Sequence, residues 1–316
     1  MAVRRQLSRH RQRFDRQHRP PRSRPRHRCR AVPRGRAPTR AGGCAMSATK
    51  RRGRGVHAAV AAGGVIMLGP FVLMLAGAFL AGNPLGGNLS PRFTLDHFRD
   101  AWAALDWPRV YGTSVLVTGA IFIGQVLTSL PIAYALARWE FRGRRLTFKG
   151  VLICLVIPPQ VTAIPIYFLM SGLGLLDSYL SLILPSVGSG FCVYLFRQFI
   201  LAIPPSMFDA ARLDGVGPVA MLWRVVFPHV RPALVAAGVF SVVSHWNDLY
   251  WPSVMLTTDH VATVPYAVAG VSGPDSTVPL SVQLAVAALA ALPLLVCFVL
   301  VQRHLVRGLV LTADGE

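Results

Sequence analysis

Residues Tyr111–Ala137 read YGTSVLVTGAIFIGQVLTSLPIAYALA, twenty-seven residues without an Asp, Glu, Lys or Arg, closed by Arg138. As a helix rising ~1.5 Å per residue this stretch reaches ~40 Å, enough to cross ~30 Å of hydrocarbon with some tilt. Uncharged runs of similar kind lie on both sides of it. Gly55–Pro91 precedes it, with its apolar part at Ala58–Ala81; Gly150–Leu176 follows, between Lys149 and Asp177. Ser178–Phe196 ends at Arg197, a run from Pro232 reaches Trp246-Asn247-Asp248, and Ser276–Gln302 ends at Arg303. The fourth and fifth runs are the shortest. Six transmembrane helices in an all-α membrane protein are therefore expected. Pro131, Pro158, Pro159, Pro165, Pro185 and Pro293 fall inside these runs, where a membrane bundle tolerates proline because neighbouring helices take up the freed carbonyls. Gly119, Gly124, Gly188, Gly190 and Gly238 suit the close helix approach that packing in lipid requires.

Composition agrees once the chain is divided. The 316 residues hold 33 Lys+Arg against 13 Asp+Glu, a net charge of +20, yet 53% are hydrophobic and only 15% charged. Residues 1–55 hold nineteen of the Lys+Arg and a single acid, Asp15, so the remainder is nearly neutral. This excludes a soluble nucleic-acid-binding protein and an ordinary cytosolic enzyme as readings of the whole. Five cysteines are too few for a disulfide scaffold; Cys154, Cys192 and Cys297 lie in apolar runs, and Cys29 and Cys44 lack any metal-finger spacing. The divisions are a disordered Arg/Pro-rich arm at 1–45, a basic segment at 46–56, a first transmembrane helix at 57–82 and a loop at 83–107. A transmembrane domain at 108–303 and a tail at 304–316 complete the chain.

Orientation follows from the basic residues. From Met46 onward there are eighteen Lys+Arg, and with the N-terminus inside the cell only Arg92, Arg99 and Arg109 fall in outward loops. The other fifteen lie inside or at inner boundaries, among them the cluster Arg138, Arg142, Arg144, Arg145 and Lys149. Both termini are expected to be cytoplasmic, in a multi-pass protein of the cell (inner) membrane.

Between the fourth and fifth runs, residues 204–228 read PPSMFDAARLDGVGPVAMLWRVVFP. This is a helix–turn–helix pattern at the inner face. Ser206 is an N-cap candidate with Asp209 three residues on, where a capping-box acid belongs. Gly215 falls where a helix terminator would, and Pro218 suits the first turn of a second helix. In that second helix Met221, Leu222, Val225 and Val226 share a face. Such a face fits a partner's groove, or packs on the chain's own bundle; the pattern alone leaves both open.

Asp209-Ala210-Ala211-x-x-x-Gly215, followed by a hydrophobic segment and Pro228, resembles the EAA coupling motif of ABC-importer permeases. The pattern departs in having Asp209 for the usual Glu, and Phe227 before Pro228 where Leu is common. Further matches, including Ala133-Tyr134-Ala135-Leu136-Ala137-Arg138, Leu213-Asp214-Gly215, Trp246-Asn247-Asp248 and the tail Gln302–Leu309, are similar to the carbohydrate-uptake branch. The tail looks like that of the second, six-span permease of maltose-type and glycerol-phosphate-type systems, and the resemblance as a whole covers roughly residues 56–312. The resemblance implies a type I importer bundle with a cytoplasmic coupling helix, within 205–228, between helices 4 and 5. It implies a second homologous permease, two cytoplasmic ATPase subunits, an extracytoplasmic solute-binding protein and a sugar substrate as partners. Asp209, Ala210, Ala211, Asp214, Gly215 and Pro228 would then form the ATPase-coupling site.

The chain has no GxxxxGK[ST] phosphate loop, so ATP hydrolysis is expected in partner subunits rather than here. No cofactor, metal site or catalytic group is expected, and no nucleic-acid partner; the surrounding lipid is one. His57, His97, His229, His245, His260 and His304 are scattered and read as boundary or loop residues. Trp246, Asn247 and Asp248 offer a stacking face and hydrogen-bonding groups for a sugar, or an interfacial aromatic belt with Tyr250 and Trp251. Gln125 and Gln160 are polar groups within spans, suited to the solute pathway or to helix–helix hydrogen bonds. A secondary transporter or channel working without an ATPase is the alternative, but no ionisable residue lies in the middle of a span.

The arm admits three readings: a segment that binds nucleic acid or anionic lipid, a solvated tail, or a stretch that is not translated. Met46 opens a short basic segment followed directly by the first span, an economical start for a membrane protein with its N-terminus inside. Translation is therefore expected to begin at Met46. N-terminal peptide mapping of the natively expressed protein checks this, and peptides recovered from residues 1–45 would contradict it.

Overall fold

A computed structural model describes residues 46–83, 88–273 and 276–313. The basic arm, with Cys29 and Cys44, lies outside them, as do the side chains of the tail. The described residues divide into two units at Gly63–Gly64. The described residues begin with α1 (Met46–Phe79) and a short hairpin of β1 (Leu80–Asn83) and β2 (Asn88–Phe93), antiparallel with Leu80 opposite Phe93 and Asn83 opposite Asn88. Helix α2 (Asp96–Ala103) leads into α3 (Trp107–Arg138). The buried Trp107 indole donates to the Ala101 carbonyl at 2.9 Å, tying the two helices together, and Asp106 caps α3.

Three stretches are long and apolar enough to cross a bilayer as single helices: Val60–Phe79, α3, and Leu280–Leu300 within α14 (Leu280–Ala313), which follows the short α13 (Val264–Val271). Three more candidates are bent pairs. Helices α4 (Arg144–Cys154) and α5 (Pro159–Gly172) meet at 99°. The run Tyr179–Ser186, comprising α6 (Tyr179–Ile183) and a short 3₁₀ turn, meets α7 (Gly190–Ala202) at 44°. Pro218–His229 meets α11 (Arg231–Trp246) at 77°. Six crossings result if each bent pair makes one. The uninterrupted third span expected from the uncharged run 150–176 is thus broken. Pro159 has no N–H and pushes Pro158 into extended backbone (ψ 137°), so α5 must start afresh at Pro159.

Helix α3 lies at the centre of the packing. Its second half contributes Leu130, Ala133, Tyr134 and Ala137 to a core with Phe196 and Ile200 of α7 and Ala233 and Ala237 of α11. Its first half packs Val117 and Ile121 against Met170, Leu182 and Met255. Gly124 permits the closest approach: a Cβ there would sit 2.6 Å from Cγ1 of Val187. The outer faces of α3 (Val115, Ile123, Leu127) and α14 (Leu292, Val296) stay apolar and uncovered, as lipid-facing helices are.

Polar side chains serve the breaks. Gln125 on α3 donates to the Ser186 carbonyl at 2.9 Å and lies 3.1 Å from Nε2 of His245 on α11. His245 lies at the end of α11, a boundary as expected, and packs there against α3, where Gln125 serves helix–helix hydrogen bonding. Thr128 donates to the Val187 carbonyl at 2.7 Å and Ser129 to that of Ser189 at 3.3 Å.

The connection between α5 and α6 turns on Asp177, a non-glycine residue with φ 54°. Its carboxylate accepts from the backbone N–H of Thr257 (2.6 Å) and Thr258 (2.9 Å) and from both hydroxyls. These bonds, the Thr257 hydroxyl foremost, hold the Asp177 carboxyl down at about 2 against an ordinary value of 3.8. A carboxyl more acidic in the folded chain adds stability that is complete above its unfolded value and lost as pH falls through the folded one. The thermal-stability gap between wild type and Asp177→Asn should hold steady from about pH 8 to about pH 5 and shrink below about pH 4. A gap unchanged near pH 2 would contradict the clasp.

Candidate functional site

Residues 204–228 form α8 (Pro205–Leu213), a turn, α9 (Pro218–Met221), one wide π turn at Leu222–Val226, and α10 (Phe227–His229). Pro205 occupies the first position of α8, so Pro204 becomes its N-cap and no side chain caps it. The expected Ser206 cap with Asp209 therefore does not form. Asp209 instead pairs with Arg212 at 3.3 Å on the open surface. The α8 terminus matches expectation. Gly215 sits at φ +73°, its N–H bonds the Arg212 carbonyl at 3.0 Å, and the Val216 N–H bonds that of Ala211 at 3.0 Å. This pair of bonds is a Schellman stop, with glycine at the left-handed position that other residues adopt only with strain. Pro218 opens α9 as expected.

The second helix differs from expectation in two ways. It widens to a π turn just before Pro228, which cannot donate to the preceding turn and whose ring crowds it. Its apolar face is also not free. Met221, Leu222 and Val226 are buried in the core with Val230 and Ala233, and Val225 is half-buried beside them. That face packs on the chain's own bundle and leaves no groove-docking stripe there.

What the segment presents outward is different. Phe208 is 4% exposed and roots α8 in the core, while Asp209, Ala210, Asp214 and Gly215 are exposed and Ala211 and Pro228 half-buried. Leu213 is 90% exposed, with Val219 and Trp223 also open. Leu213 lies one turn after Asp209 and shares its face, so α8 offers an acid and a leucine side by side. The sequence reading missed Leu213, Val219 and Trp223; the signal was a leucine four residues beyond Asp209, off the Phe208 stripe.

The four pathway candidates are not brought into one site. Trp246 is buried and, with Asn247, lines a cavity of about 830 Å³ whose other walls are Phe122, Val242, Val268 and Leu294 among similar apolar residues. Asn247 donates to the Val243 carbonyl at 2.8 Å. Asp248 does not line this cavity; its carboxylate accepts from the N–H groups of Tyr250 (2.9 Å) and Trp251 (3.3 Å) at the start of α12 (Tyr250–Met255). Gln160 is exposed in the first turn of α5, away from the cavity walls.

The described residues thus form an apolar helical bundle that carries a rooted, exposed helix–turn. The family model described as "Binding-protein-dependent transport system inner membrane component" matches residues 129–310, and the chain belongs to that family. Its members are transport permeases rather than enzymes. The chain is 32% identical to the arabinooligosaccharides transport system permease protein AraQ of Halalkalibacterium halodurans, over 68% of this chain and 77% of the relative. It is 35% identical to the sn-glycerol-3-phosphate transport system permease protein UgpE of Yersinia pestis bv. Antiqua, over 62% and 70%. A solved bacterial ABC transporter involved in import of the acidic polysaccharide alginate has a chain of the same fold, with TM-score 0.70 and 22% identity over 80% of this chain and 97% of that one.

The stop at Gly215 can be tested on the protein alone. Gly215→Ala should lower stability by about 1 kcal/mol, because alanine must adopt the left-handed backbone. Thermal unfolding of the detergent-solubilised full chain measures this; an unchanged midpoint would show that the turn does not require glycine.

Proposed function

We propose that this chain is one of two permease subunits of an ATP-driven importer that takes a carbohydrate from an extracytoplasmic binding protein. Residues 205–228 form its cytoplasmic contact with the ATPase. Family membership and the names of the relatives support the class and the carbohydrate. The observation that carries the contact is the pairing within α8 of a buried root, Phe208, with an exposed face of Asp209, Ala210 and Leu213. Asp209 meets a basic group of the ATPase, Leu213 enters an apolar recess, and Ala210 and Ala211 let the two surfaces close. ATP binding draws the ATPase subunits together and displaces α8, which biases the bundle between two arrangements. The excess of Lys and Arg on the 205–228 side supports a cytoplasmic location for this segment and for both termini.

Trp246 and Asn247 remain the candidates for the solute path, since they line the large cavity. Asp248 and Gln160 are weaker ones, Asp248 because its carboxylate already accepts from the Tyr250 and Trp251 N–H groups.

Asp209→Lys reverses the charge offered to the ATPase, and Gly215→Pro removes both the left-handed turn and its N–H bond. Each should abolish uptake of a labelled arabino-oligosaccharide by cells carrying the whole system while leaving membrane insertion at wild-type level. Wild-type uptake in either variant would refute the docking role. Affinity purification of the tagged chain should also bring down an ATPase and a second permease; recovery of the chain alone with active transport would favour a secondary transporter.

A further inference from the structure

We propose that Arg138 is the positioning residue that ties α8 to the membrane bundle and passes its displacement on to α3. This rests on the docking role given above to residues 205–228. Arg138 is the last residue of α3, and its guanidinium makes two kinds of contact at once. One nitrogen donates to the Ile200 carbonyl at 2.7 Å and to the Ile203 carbonyl, both at the end of α7. Its plane lies over the ring of Phe208, 4.1 Å from guanidinium carbon to ring centre. Tyr134, one turn earlier on α3, faces the same ring at 6.5 Å with the planes 15° apart.

The sequence explains why these carbonyls are available. Pro204 has no N–H to give Ile200, whose carbonyl accepts from the Ile203 N–H at 3.3 Å and keeps a second lone pair for Arg138. The Met207 N–H goes to the Pro204 carbonyl at 3.2 Å, leaving that of Ile203 to Arg138. The joint from α7 into α8 is thus closed by a side chain from a third helix. Arginine suits this because one end of its planar guanidinium serves both carbonyls while the face of the same group lies over the ring, and a lysine ammonium has no such face to stack. The Arg138 Nε is buried without a partner, a cost borne where the other contacts dictate where the group sits. Arg144 donates to the carbonyls of Leu136 (2.9 Å) and Ala137 (3.0 Å), and Arg197 to that of Leu136 at 3.4 Å. The end of α3 is therefore held to α4 and α7 as well, so a push on Phe208 reaches three helices together.

The test uses the complete transporter, purified with its ATPase and second permease and reconstituted in lipid. A labelled arabino-oligosaccharide presented by the binding protein is the probe. Arg138→Gln should retain the ATPase in wild-type ratio and still hydrolyse ATP, with solute moved per ATP reduced about tenfold or more, the scale of one charge-assisted hydrogen bond. Arg138→Lys should recover only part of that loss, and Arg138→Gln with Phe208→Leu should be no worse than Arg138→Gln alone. A merely structural defect would lower ATPase retention instead. Wild-type yield per ATP in Arg138→Gln would overturn the proposal while leaving the docking role intact. Retention of the ATPase by Asp209→Lys would instead strike the docking role. If Arg138→Gln fails to assemble, Phe208→Leu decides: it removes the stack and keeps the carbonyl bonds, and an unchanged yield per ATP would overturn the proposal.

Discussion

A helix that stops within or beside a membrane leaves carbonyls and N–H groups where little water can serve them, and each must find a partner in the protein. This chain breaks its helices often, and the side chains that repair the breaks fix the architecture. Gln125, Thr128 and Ser129 reach from α3 to the carbonyls of Ser186, Val187 and Ser189, where the run from α6 bends into α7. Arg138 does the same for the end of α7. One long helix therefore supplies the polar groups that let its neighbours bend.

The same constraint shapes the outward segment. Prolines at 204 and 205 stop α7 and start α8 within two residues, so the direction of α8 is set by the joint rather than by a flexible loop. Phe208 then anchors the helix from below while the Schellman stop at Gly215 fixes where it ends. Asp209 and Leu213 are left on a surface that cannot rotate away without disturbing the core. A segment built to transmit force needs this combination of a rigid root and an open face. Separate ion pairs on the surface would not supply it, since exposed pairs such as Asp209–Arg212 contribute little to rigidity.

The sequence revealed the class of fold because uncharged runs of 27 residues have few other uses. It also located Gly215 and Pro218, whose backbone requirements are local. It did not reveal the break at Pro158–Pro159, because proline in an apolar run is compatible with a kink or with a stop, and only neighbouring contacts decide. The hairpin of β1 and β2 straddled the end of the uncharged stretch at Pro91–Arg92, which read as span and loop. The Met221, Leu222 and Val226 stripe was visible, but amphipathic spacing identifies an apolar face without saying what covers it. Ser206 fitted a capping pattern that Pro205 displaced by one residue. The pairing of Arg138 with Phe208 joins residues seventy positions apart, and nothing local to either announces it.

The exposed face of α8 can be addressed directly by placing a photo-reactive amino acid at Leu213 in the living cell, with Val226, 0% exposed, as the buried control. A docked α8 predicts one dominant adduct from position 213, to an ATPase subunit, and none from position 226. An adduct from Leu213 to lipid alone, or equal labelling from both positions, would contradict the assignment of this segment as the contact through which ATP drives transport.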